Sequence, residues 1–264
     1  MADALSSTAD TYSRDSDPEF VRVAAPSTLK MVEMLLETQP AHSGLLMTAC
    51  SGFTQYAYAF LQVDAEFVEP KDKAAAADLR DRAQKMYDRA RDYCRRALDL
   101  AVPGAAAALA KDPKAALARA DREDVPVLYW TAASMGGGVA TAPAPVQRLA
   151  DAPSVRALLM RALELDEKWE RGAIHEALIA LESLPAALGG SPERARTHFD
   201  RAVELSGGDS AFAYVTMATS VPKDTAEVTR LLKTALAIDV NRRPEIRLAN
   251  LIAQKRARFL LNAR

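Results

Sequence analysis

Arg161-Ala162-Leu163-Glu164-Leu165 is a helix-ending phrase that this chain repeats. It returns as Arg96-Ala97-Leu98-Asp99-Leu100 and Arg201-Ala202-Val203-Glu204-Leu205, and, without the arginine, as Ala235-Leu236-Ala237-Ile238. The four alanines are separated by 65, 40 and 33 residues. Those steps approximate two periods, one period with an insertion, and one period of the tetratricopeptide repeat, about 34 residues long. In such a repeat a small residue near the end of the second helix lets two antiparallel helices cross closely. The residues three positions earlier, Cys94, Leu159, Phe199 and Leu232, are all apolar, as a continuous buried helical face requires.

The rest of the chain follows that period rather than the period of two that marks strands. Alanine is abundant and β-branched residues are sparse, so the fold class is all-α, a superhelical array of tetratricopeptide-like antiparallel helix pairs. Helices are expected near 26–38, 43–62, 71–101, 124–140, 153–165, 170–184, 191–206, 210–219, 224–238 and 244–262. Pro40, Pro70, Pro103, Pro143, Pro153, Pro192, Pro222 and Pro244 punctuate them at starts and in loops. Residues 1–22, rich in Ser, Thr and Asp, read as a flexible tail, and residues 23–264 as a single helical-repeat domain.

Composition narrows the function. Lys and Arg number 34 against 35 Asp and Glu, with no long run of one sign, which argues against a nucleic-acid or membrane-surface binder. No apolar stretch reaches the roughly 20 residues of a membrane helix. The first residues, MADALSSTAD, have neither the basic nor the apolar region of an export signal. Cys50 and Cys94 could form at most one disulfide; both fall on buried helical positions, where cysteine acts as a small hydrophobe.

Ile174-His175-Glu176-Ala177-Leu178-Ile179 begins like the zinc-protease signature His-Glu-x-x-His, but Ile179 occupies the place of the second histidine. His42 and His198, the other histidines, stand at no ligand spacing, so a metal-dependent hydrolase around His175 and Glu176 is the weaker reading. A polar pair beside the apolar stripe of Ile174, Ala177, Leu178 and Leu181, facing a ligand or a neighbouring helix, is the stronger. Met135-Gly136-Gly137-Gly138 lacks the strand and the Lys-Ser/Thr of a phosphate loop, and reads instead as a place where another helix comes close. Aromatic residues make up only 6% of the chain, yet they concentrate at Tyr56-Ala57-Tyr58-Ala59-Phe60 and Tyr129-Trp130, where they could serve core or pocket. Lys255, Arg256 and Arg258 read as a solvated face. No nucleophile with an adjacent base and no dinucleotide fingerprint is present, so no enzymatic activity is expected and no cofactor.

Several longer phrases resemble the T component of TRAP transporters, the TatT family. They are Gly44-Leu45-Leu46 with Phe53 to Phe60, Arg89-Ala90-Arg91-Asp92-Tyr93, Tyr129 to Ala133, Gly172-Ala173-Ile174-His175-Glu176, Glu204 to Thr216, and Arg247 to Ala257. The resemblance spans about residues 26–262. It implies a periplasmic, non-catalytic lipoprotein that associates with the substrate-binding P component of a tripartite ATP-independent periplasmic importer. It also implies a homotrimer with a cleft or pore for a small organic acid or apolar ligand. Tyr56, Tyr58, Trp130, His175, Glu176, Phe212, Tyr214, Asn250 and Gln254 lie in the matched phrases and are the cleft candidates. A scaffold binding a peptide or protein tail in its concave groove is the alternative.

Overall fold

The computed structural model describes residues 9–141, 150–221 and 224–263, and among the described residues there is no strand. Pro143, Pro222 and the first eight residues of the expected tail lie outside them. The chain divides into two compact units, one formed mainly by Glu19–Leu165 and the other by Asp10–Pro18 and Asp166–Arg264.

α1 (Ala9–Ser13) falls almost wholly in the second unit; in the first, α2 (Pro18–Thr38) leads into α3 (Ser43–Ala57). A wide turn of π-helix, Tyr58–Gln62, continues α3 into α4 (Val63–Val68). The long α5 (Lys73–Ala101) packs antiparallel on α3, and the short α6 (Ala105–Ala108) and α7 (Pro113–Ala116) lead to the pair α8 (Val125–Thr141) and α9 (Ala152–Leu165). The second unit holds α10 (Ala173–Glu182) with α11 (Pro192–Ser206), α12 (Ala211–Ser220) with α13 (Thr225–Ala237), and α14 (Arg247–Asn262).

Helix starts are written in side chains: Asp72, Asp112, Ser191 and Asp224 each accept a hydrogen bond from an orphan amide in the first turn. α2 begins eight residues before the expected start at Pro26, and its residues 18–22 extend a helix into the expected tail. The reason is a buried stripe, Val21, Ala25, Leu29, Val32 and Leu36, that runs through the proline. Arg22 also pairs with Asp64 and donates to the Phe60 carbonyl at 3.1 Å, which fixes this first turn.

The four repeat alanines are buried, as expected. Gly52 sits where an added Cβ would lie 2.6 Å from Leu29, so α2 and α3 meet there. A Cβ on Gly137 would run into the Tyr87 ring, which makes this glycine of the run a close approach of α8 and α5. Cys50 and Cys94 are indeed buried, but they are not free small hydrophobes: they form a disulfide that ties α3 to α5 across a separation of 44 residues.

Candidate functional site

The arginine of the repeated phrase has a structural task. Arg96 donates to the Pro40 carbonyl at 2.7 Å and Arg161 to the Ala120 carbonyl at 2.7 Å. Each therefore reaches from the second helix of a pair to the segment that precedes the first. Arg201 does the same in the second unit, but it meets a side chain: Nε and Nη2 grip the two carboxylate oxygens of Glu167 at 2.7 and 2.8 Å.

Glu167 passes that contact on. Its Oε1 lies 3.3 Å from Nε2 of His175, and Nδ1 of His175 lies 2.8 Å from Nδ1 of His198 on α11. The arginine holds the Glu167 carboxyl down to about 2, so it is ionised and can only accept. His175 is 5% exposed; its burial is the main cause lowering its pKa, Glu167 opposes this, and Arg201 adds to it. A neutral His175 facing this carboxylate would carry its proton on Nε2 and present a lone pair at Nδ1, to which His198 would donate. His175 is thus held between a carboxylate and a second ring, beside the buried stripe of Ile174, Leu178 and Leu181 on α10.

Glu176, next on α10, points elsewhere. It is half-buried by surface and closely surrounded by protein; this desolvation pushes its carboxyl up to about 7, opposed by a hydrogen bond with Ser210. Phe212 and Tyr214 pack against the core of the second unit, Tyr214 edge-on to Phe199 at 5.4 Å. Asn250 accepts from the Ala211 amide at 2.8 Å and donates to the Asp209 carbonyl at 2.9 Å, supplying the cap that Ser210 does not give α12. Gln254 donates to the carbonyls of Ala235, Leu236 and Ile238 at the end of α13. The last two side chains therefore close helix ends.

In the first unit, Tyr56 lines a groove of about 210 Å³ with Pro26, Leu29, Lys30, Glu33, Phe53, Met86 and Arg89. Its rim is charged: Glu33 accepts from Lys30 at 2.8 Å and from the Tyr93 hydroxyl at 3.1 Å, and Arg89 lies 3.5 Å away and over the Phe53 ring. Tyr58 packs instead beside the buried Tyr87, whose hydroxyl donates to Gln62 at 2.7 Å. Trp130 is half-buried, edge-on with Tyr129 at 5.1 Å.

Sequence reasoning missed Glu167, His198 and Arg201 as partners of His175, and Glu33 and Arg89 beside Tyr56. The repeated arginine was the available signal for the first group. Among the described residues no three His, Cys, Asp or Glu side chains are gathered as a metal cage, and no helix is long and apolar enough to cross a membrane.

An uncharacterized protein of Treponema pallidum (strain Nichols) is 28% identical over 257 residues, covering 94% of this chain and 80% of that relative. The family model described as TRAP transporter T-component matches residues 14–264, essentially the whole helical array, and the chain belongs to that family.

Proposed function

We propose that this chain is the non-catalytic accessory component of a tripartite ATP-independent periplasmic transport system. It docks the periplasmic substrate-binding P component and offers a small organic acid or apolar ligand a cleft. Family membership over residues 14–264 is the observation that carries the reading. The tetratricopeptide-like helix pairs supply the docking surface, and three copies assemble as a trimer.

Two features support it. The groove at Tyr56 joins an apolar floor to a rim of Lys30, Glu33 and Arg89, the combination that orients an amphipathic molecule. The Cys50–Cys94 disulfide suits an oxidising compartment such as the bacterial periplasm; there a lipid anchor on the full-length precursor would hold the protein at the membrane. Tyr58 and Trp130 alongside Tyr56 in the first unit, and His175, Glu176, Phe212 and Tyr214 in the second, remain cleft candidates, each within its own unit.

Native mass spectrometry of the purified chain mixed with the P component from the same source tests the proposal. The expected result is a specific complex, with Tyr56→Ala losing any co-purified small molecule while keeping its helicity. No complex and no bound mass would favour the peptide-binding scaffold.

A further inference from the structure

The contact between α10 and α11 is a ring-to-ring hydrogen bond of unusual economy. The Nδ1 atoms of His175 and His198 are 2.8 Å apart while the ring centroids are 5.1 Å apart. For rings of imidazole size, those two distances place both nitrogens on the line joining the ring centres, so their outward directions point at each other. That is the geometry of N–H···N. Two histidines sharing one zinc ion instead direct their nitrogens at a common point, each at about 2.0–2.1 Å from the metal.

We propose that the His175–His198 contact is a proton-operated latch: it holds α10 to α11 with one hydrogen between the facing nitrogens and releases when both rings are protonated. With both rings neutral, His175 donates Nε2–H to Glu167, and His198 donates Nδ1–H to His175. One added proton leaves a single hydrogen between the facing nitrogens, whichever ring takes it. A second added proton puts N–H against N–H at hydrogen-bond distance and two positive charges face to face. Around His175 the charged groups are already engaged. Glu167 faces His175 from the segment before α10, but Arg201 already grips both its oxygens. Arg201 is shared with Glu204 on α11, and the neighbouring Glu176 on α10 is directed to Ser210.

The direction follows from the geometry and from the lowered pKa of His175. Burial lowers the pKa of His175 in the folded chain, so the unfolded chain binds a proton on that ring more readily than the latched form. The stability is therefore complete above the ordinary histidine range and is lost as pH falls below it.

The chain has only three histidines, and His42, whose Nδ1 accepts from the Leu45 amide, serves as an internal reference. Long-range proton–nitrogen spectra of the full chain near pH 8 should show the Nε2–H tautomer for His175 and the Nδ1–H tautomer for His198. An Nδ1–H tautomer at His175 would overturn the proposal. Melting between about pH 7.5 and 5.5, in a Glu176→Gln background to remove that carboxyl's own titration, gives the second readout. His198→Asn keeps a donor toward neutral His175 and can turn its carbonyl to the protonated ring. The chain with His198 intact should lose about 3 °C more than His198→Asn over this range, a shift readable for a protein of this size. Equal losses, or stoichiometric Zn²⁺ uptake that His198→Asn removes, would refute the latch; the spectra need no variant and decide the case if His198→Asn fails to fold.

Discussion

Glu176 holds its carboxyl against Ser210 in the first turn of α10, and its raised pKa makes a signed prediction. The folded chain favours the neutral acid more than the unfolded chain does, so the stability from this group is full below the ordinary carboxylate range. It is lost as pH rises through about 7. Glu176→Gln should leave stability near pH 4 almost unchanged and raise it near pH 8 by on the order of 2 kcal/mol, measured by urea unfolding at the two pH values. Asn250 predicts the opposite sign. Asn250→Ala strands the buried Ala211 amide and Asp209 carbonyl, and should cost about 2–3 kcal/mol in the same assay. A ligand-contacting asparagine would cost binding and little stability, so this variant also tells whether Asn250 belongs to a cleft.

At the scale of elements, the neighbouring glycines of α8 separate propensity from packing. At Gly136 an added Cβ meets only Val155 at 3.9 Å, so Gly136→Ala should be neutral or stabilising by up to about 1 kcal/mol through helix propensity. Gly137→Ala meets the Tyr87 ring and should destabilise by about 1–3 kcal/mol, since close-packed neighbours must move; thermal melts of the pair give the contrast. The disulfide joins α3 and α5 across 44 residues. Its reduction should destabilise the first unit by about 3–4 kcal/mol through the entropy returned to the unfolded chain, read as a lower urea midpoint with dithiothreitol than without.

For the whole molecule, the prediction rests on family membership. Light scattering on the purified chain should give three times the 28.5 kDa of one copy, and a monomer across a wide concentration range would count against the trimer. Much of the architecture was legible beforehand: the expected helices overlap the long elements of both units, and Pro192 and Pro244 fall at helix starts as read. The short α6 and α7 were not, because four-residue helices carry no periodic signal. Of the nine cleft candidates, Tyr56 was found lining a groove and His175 inside a polar relay, whereas Asn250 and Gln254 were found at helix ends.

The sequence by itself determined the helices and their buried faces, since helical period and capping side chains are local properties. Ala97, Ala162, Ala202 and Ala235 could be read from spacing alone. Tertiary structure decided which side chains meet. Glu167 reaches Arg201 across 34 residues and His175 reaches His198 across 23. Cys50 bonds Cys94 only because α3 and α5 are turned toward each other at those positions. The rotation of each helix about its own axis is set by the packing of its whole buried face, which is why no spacing rule on the chain announces these partners.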